Sequence, residues 1–498
     1  MKAIDKEIET VFDASPFVLI HVADGLLCNR TERIRRFKED PVFHELVSSV
    51  TTVPSTERIK EVVKRYFLYV MFSHTWDEYE PTFEDVFGKS VYDIQNEKLR
   101  KFCRKVRDDY KPLQWSWSDT CCINNKDTDV YQKSVRSMYK WYQNSELTLV
   151  RLASPSESYP LPGIEHNRWM YRAWTLQELL APEVIRFYDH NWELYLHDNS
   201  INHKTSPTIK GELARATGVE PDALVHFSPE SLPVRQRLRL ASRRKASVEV
   251  DVAYSLIGIF SSDIHVEYAR EAEVALGLLL QERVNRQGDV TVLDWVGKPS
   301  KFHSSLPAEI SVYDQIPYTI PFIIEDELRH QIEALKRLPK GDVTRFYSGL
   351  TTLGLPRFAD RRLSLPCITF SVARIWPDTS IPIQDTPAYL ASTVALGNVR
   401  FKTEDISLSA RPQARVVLVY PWIRDLLAAI RNRKGSKYIQ ALTLLAYLER
   451  GFRAMLFAEQ SHQQYKRVAS DGVILVPARK WTSLEDIRIE VLEIWETS

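Results

Sequence analysis

No two of the five cysteines, Cys28, Cys103, Cys121, Cys122 and Cys367, are spaced as a CxxC pair, and their number is odd. That argues against a disulfide framework and leaves reduced thiols in a cytoplasmic setting. No apolar run approaches the roughly 18 residues needed to cross a bilayer. The start, Met1-Lys2-Ala3-Ile4-Asp5-Lys6-Glu7, mixes charges and lacks the apolar core of a secretory signal. An excess of one charge is also missing. With 66 basic and 65 acidic residues there is no electrostatic case for nucleic acid or a membrane surface. Neither a Walker phosphate loop, nor GxGxxG, nor HExxH occurs, which removes the common nucleotide and zinc-protease signatures. Short repeats, low-complexity tracts and heptads are absent too. The expectation is a soluble, cytoplasmic chain with no membrane span, no metal and no resident cofactor.

What is present is the composition of a globular protein, 44% apolar and 26% charged. At 498 residues, two to four domains are expected. Residues 1–66 read as an N-terminal leader, with a strand near Pro16–Val22 and a helix over Ser55–Tyr66. Residues 67–195 alternate strand and helix. Phe67–Phe72 is a continuous apolar run, as in a strand covered on both faces. Leu99, Phe102, Cys103 and Val106 mark a helix, Leu113–Asp119 a second strand, and Val135, Met138, Tyr139 and Tyr142 a second helix with Asp127 or Asp129 as its cap. Leu147–Val150 and Val184–Tyr188 complete four strands. Such alternation implies a parallel sheet flanked by helices. Residues 196–290 read as a helical extension, and residues 291–498 as a separate mixed α+β domain.

The stretch Arg168–Leu180 carries the most chemistry. Read as one helix ended by Pro182, it puts Tyr171, Trp174, Thr175 and Glu178 on one face. A carboxylate on an aromatic face is costly to bury unless something pairs with it or uses it. Glu178 is then either a surface residue with an Arg partner or a group in a pocket. Ser73-His74-Thr75-Trp76-Asp77 and Asp119-Thr120 follow two strands. They are either ordinary turns or the walls of a crevice at the carboxyl edge of the sheet. A thiol nucleophile, Cys121 or Cys122 with His74 as base and Asp119 as orienter, is a third arrangement. Adjacent cysteines on a strand would point to opposite faces, which argues against one zinc held by both.

Four motifs in order carry a resemblance: Ser73-His74-Thr75-Trp76; Trp117-Ser118-Asp119-Thr120-Cys121-Cys122-Ile123-Asn124; Ser137-Met138-Tyr139-Lys140-Trp141-Tyr142; and Arg172-Ala173-Trp174-Thr175-Leu176-Gln177-Glu178-Leu179. Over roughly 69–190 the chain resembles the heterokaryon incompatibility (HET) domain of fungi. Ala241–Arg244 and Asp251–Phe260 resemble the helical segment that often follows it. The resemblance implies a role in non-self recognition, in which activation leads to regulated cell death. It also implies a distant kinship with the Toll/interleukin-1 receptor (TIR) domain, and so a TIR-like parallel sheet. Trp174-Thr175-Leu176-Gln177-Glu178-Leu179 is similar to the pattern whose Glu is catalytic in NAD-cleaving TIR domains.

By that likeness Glu178 is the catalytic candidate. Ser73, His74, Trp76, Asp119 and Trp174 are the substrate-binding candidates, and NAD is a substrate rather than a cofactor. Loss of nicotinamide leaves an oxocarbenium-like ribose that a carboxylate can stabilise. The alternative implied by the same family is a non-enzymatic interaction module that signals by self-association or by binding another incompatibility protein. The chain departs from the family pattern at Asp77 (commonly Gly), Asn124 (often Asp), Val250-Asp251 (usually Glu-Asp) and Tyr268-Ala269-Arg270-Glu271 (usually Tyr-Gly-Glu-Gly). The first two are expected to touch the pocket, the last two the helical layer.

Overall fold

The computed structural model describes residues 1–48, 55–155, 163–380, 386–404, 415–430, 435–461 and 463–495. Two compact units result. The first comprises Met1–Leu232 with Arg243–Ala269, and the second Pro233–Ser242 with Arg270–Ser498.

In the first unit, strands β1 (Val18–His21), β2 (Leu26–Asn29), β3 (Tyr69–His74), β4 (Trp115–Ser118), β5 (Leu147–Arg151) and β6 (Ile185–Tyr188) form one sheet in the order β2-β1-β4-β3-β5-β6. The strands β4, β3, β5 and β6 run parallel, as the alternation predicts. In chain order these four are arranged 2-1-3-4, a doubly wound order that opens a crevice at the carboxyl ends of the strands. The residues before 67 add an antiparallel hairpin whose β1 pairs with β4. The hairpin turns at Gly25, which has φ of +76° and no room for a Cβ beside Ser90.

Helices cover both faces, for reasons visible residue by residue. Every residue of β3 is buried. On one face Phe102, from the helix Glu97–Asp109, stacks on Phe72 with ring centroids 4.4 Å apart. Asn96 caps that helix by accepting from the Leu99 amide at 2.9 Å. On the other face Trp117 of β4 meets Trp141 and Tyr142 from the helix Thr128–Gln143. Its cap is Asp127, which accepts from the Val130 amide at 3.0 Å.

Three local expectations change. The first strand runs over Tyr69–His74 instead of Phe67–Phe72, because Phe67 closes the helix Thr56–Tyr66. Ser73 and His74 are therefore strand residues. The two cysteines after β4 lie on a helical turn, Asp119–Cys122, and not on a strand. The helix expected over Arg168–Leu180 is broken into a 3-10 turn, Arg168–Tyr171, and a helix, Thr175–Leu180. Arg172 between them is extended because it forms a parallel bridge with Lys245. Tertiary pairing overrides helical propensity there.

Among the described residues the second unit holds helices, including Glu325–Leu335, Lys340–Thr352 and Lys437–Glu449, and nine strands. The strands are β7 (Arg357–Ala359), β8 (Arg362–Pro377), β9 (Ala388–Thr393), β10 (Gly397–Lys402), β11 (Val416–Tyr420), β12 (Phe452–Ser461), β13 (Gln464–Val468), β14 (Ile474–Val476) and β15 (Ile487–Trp495). The pairings β8–β11–β12–β13–β15 return to β8 and close a ring of five strands. The chain as a whole is thus mixed α/β, with a parallel-containing sheet followed by a separate α+β unit.

Candidate functional site

The carboxyl ends of β3 and β4 open into a pocket of about 300 Å³, at the low end of the range for small-molecule sites. His74, Trp76, Asp119, Trp174 and Glu178 all line it. Ser73 lies behind the wall, not on it, and is buried.

Glu178 sits in the first turn of the helix Thr175–Leu180 and is only 5% exposed. Its carboxylate accepts from the Ser73 hydroxyl at 2.5 Å. Ser73 is itself fixed, because its oxygen accepts from the Trp169 indole N–H at 2.8 Å. The relay Trp169–Ser73–Glu178 leaves the serine proton one place to go and so orients the carboxyl group. Burial, followed by the charge of Asp119, pushes the Glu178 carboxyl up to about 8. The Ser73 hydrogen bond and the charges of Arg172 and Arg244 oppose that rise. At neutral pH the pocket therefore holds Glu178 mostly as the neutral acid.

Arg244 is buried, and burial lowers it to about 9. Its guanidinium donates to the Arg172 carbonyl at 2.9 Å and to the Thr175 hydroxyl at 2.8 Å. Thr175 in turn donates to the carbonyls of Trp169 and Arg172, at 2.6 and 2.9 Å. These bonds pin the break between the 3-10 turn and the helix, and so set where Glu178 enters the pocket.

One pocket tryptophan is tethered by an aspartate, and the other acts on one. The Trp76 indole, 46% exposed, donates to Asp119 at 2.8 Å. The Trp174 side chain stabilises Asp251, which also accepts from Tyr268 at 2.9 Å. Burial raises the Asp251 carboxyl, and Trp174, Tyr268 and the charge of Arg172 oppose that rise without cancelling it. His74 stacks on Phe72 at 4.2 Å, with its Nε2 3.7 Å from Glu80 and neither ring nitrogen hydrogen-bonded among the described residues. Burial alone would raise the Glu80 carboxyl, but His74, Lys98 and the Asp77 amide hold it at about 2.

Two expected effects move. Asp77 and Asn124 do not line the pocket. Asp77 pairs with Lys98 at 2.9 Å, and Asn124 accepts from the Lys126 amide at 3.1 Å. Asp251, assigned from sequence to a helical layer, is in the pocket wall with Lys245, Ala246, Ser247 and Val248. Gly258 brings this segment against Tyr139, and a Cβ there would overlap the tyrosine side chain. Cys121 and Cys122 are buried away from the lining, and their mutual hydrogen bond and burial keep the Cys121 thiol protonated. That placement removes the thiol-nucleophile arrangement. Sequence reading missed Trp169, Arg172, Lys245 and Asp251. Arg172 stood inside a quoted motif, but nothing along the chain links it to Lys245.

Residues 69–168 match the family model "Heterokaryon incompatibility protein (HET)". The chain is also 30% identical over 227 residues to the vegetative incompatibility protein HET-E-1 of Podospora anserina. The chain carries a HET domain. The match with HET-E-1 covers 43% of this chain but 16% of that relative, so the chain spans a small part of its length. No solved structure is a significant match. The family match opens at β3 and stops at Arg168, so Glu178, Lys245 and Asp251 lie beyond the HET core while closing its pocket. Among the described residues no three His, Cys, Asp or Glu side chains converge as a metal site, and no helix is long and apolar enough to cross a membrane.

Proposed function

We propose that this HET-domain chain acts in non-self recognition by cleaving the N-glycosidic bond of NAD, with Glu178 as the catalytic carboxylate. The observation that carries the reading is a buried carboxyl, oriented by Trp169–Ser73, in a pocket lined by the indoles of Trp76, bonded to Asp119, and Trp174. The TIR-like pattern around Glu178 supports it. The C1′–N bond breaks with its electron pair passing to the nicotinamide nitrogen. The leaving group departs neutral and needs no acid. Carboxylate charge stabilises the ribosyl cation, water adds at C1′, and its proton passes to Glu178 or solvent. A positively charged nicotinamide beside Glu178 favours the ionised form, so the substrate itself restores the charge that burial suppresses. Trp76 and Trp174 offer flat faces for the ring, His74 and Asp119 contact the ribose side, and Ser73 positions Glu178. Self-association or another incompatibility protein is the trigger in this reading.

A second reading, an interaction module without chemistry, is favoured by one observation: burial holds Glu178 neutral and bonded to Ser73. NAD loss over time decides between them, with wild type beside Glu178→Gln at low and high protein concentration and after forced oligomerisation. Loss that disappears in the variant supports the enzyme. No loss under any condition supports the module.

A further inference from the structure

Two cations in the pocket wall have no acidic partner among the described residues. Arg172 and Lys245 face each other across a parallel bridge, with the Lys245 amide donating to Tyr171 O at 2.7 Å and the Ala173 amide donating to Lys245 O at 2.8 Å. Bridged residues project from the same face, so both side chains leave on one side, and both line the pocket. Arg172 is half-buried and Lys245 exposed, which places the pair from the wall to the rim. Neither forms an ion pair among the described residues: Asp119 is bonded by Trp76 and Asp251 by Tyr268. Arg172 acts on Glu178 and Asp251 only through space. Two adjacent like charges repel, and the backbone bridge fixes them together. That arrangement suits a ligand with more than one negative oxygen, since guanidinium and ammonium together span a phosphate or pyrophosphate.

We infer that Arg172 and Lys245 form an anion grip that holds the phosphates of a nucleotide at the mouth of this pocket. The inference rests on the NAD reading for its biological substrate, since the pyrophosphate of a dinucleotide is what the grip would hold while nicotinamide ribose enters the cavity. It assigns the binding of the phosphate half to residues at and beyond the end of the recognisable HET core.

The test is calorimetric binding of ADP, which has the phosphates but no nicotinamide bond, to the full chain. Adenosine is the phosphate-free control. Arg172→Gln and Lys245→Gln should each weaken ADP about tenfold, as loss of one charge-assisted hydrogen bond does, and Arg172→Lys should restore much of the loss. Adenosine binding should not change. Raised salt should weaken ADP in the wild type more than in the double variant. Binding is the readout because Arg172 also lowers the Glu178 pKa, so activity alone would mix two effects. Unchanged melting temperatures show that the variants fold, and Lys245, being exposed, is the safer of the two. Equal ADP affinity in wild type and double variant, or no ADP binding by the wild type, overturns the grip. NAD hydrolysis is scored separately. Its absence alongside grip-dependent ADP binding sinks the enzyme reading and leaves the grip standing.

Discussion

Replacing Glu178 by Gln should change how stability depends on pH, and the size follows from the structure. Glu178 is buried, and its carboxyl is raised from 4.5 to about 8. An acid raised on folding binds its proton more tightly in the folded state. Its stabilising contribution is therefore complete below the unfolded value and is lost as pH climbs toward the folded one. Within that window each pH unit costs about 1.4 kcal/mol. From pH 6 to 9 the loss is about 3 kcal/mol, an upper figure because water entering the pocket reduces it. For a unit of this size that is roughly 5–10 °C in melting temperature. The substituted glutamine has no proton to lose and keeps an oxygen that can accept from Ser73. Other groups titrate equally in both proteins, so the difference between the two melting curves isolates this carboxyl. The measurement is thermal unfolding of both proteins at half-unit steps from pH 5 to 9. Glu178→Gln should gain on the wild type as pH rises, most steeply below pH 8. Parallel curves would mean that Glu178 is not the buried, high-pKa acid described above, and the charge argument for its chemistry would fall with it.

Ser73→Ala removes the bond that opposes the rise of Glu178 and strands the Trp169 indole N–H. A stability loss of about 1–3 kcal/mol is expected in denaturant titration. The alkaline-side rise of kcat/KM for NAD should also move to higher pH, and an unmoved profile would refute the relay. That rise in the wild type should itself run with ionisation of a group near 8. Gly258→Ala forces the pocket-wall segment off Tyr139 and should cost about 1–3 kcal/mol as overpacking; chemical denaturation checks this, and no change would show that the contact yields freely. Trp76→Phe keeps a flat ring but frees Asp119, and should raise KM for NAD more than it lowers kcat in steady-state kinetics.

Elements whose signal is local were legible in the sequence. The continuous apolar run around β3 and the 3.6-residue spacing of Leu99–Val106 and Val135–Tyr142 fall in strands and helices, because burial on one or two faces leaves that periodicity. The break at Arg172 was not legible, since its cause is a backbone partner at Lys245, far along the chain. Trp76, Asp119, Trp174 and Glu178 were found through motif order, and the structure brings them to one cavity. Asp251 was visible as a residue but misplaced, because its neighbours have helical spacing and nothing in them points back to Trp174. The Trp169–Ser73 bond has no sequence counterpart: Ser73 reads as a turn or crevice residue, and nothing along the chain links it to Trp169.

Closing the pocket with Lys245–Asp251 also sets a clock on synthesis. Asp251 is added 73 residues after Glu178. At ordinary elongation rates the ribosome needs roughly 4–15 s to get there. During that interval a nascent chain holds the carboxyl-bearing helix without the wall that completes its cavity. The cavity is in this way complete only once the chain has grown past that wall, and truncation before residue 243 would leave it permanently in that unfinished condition.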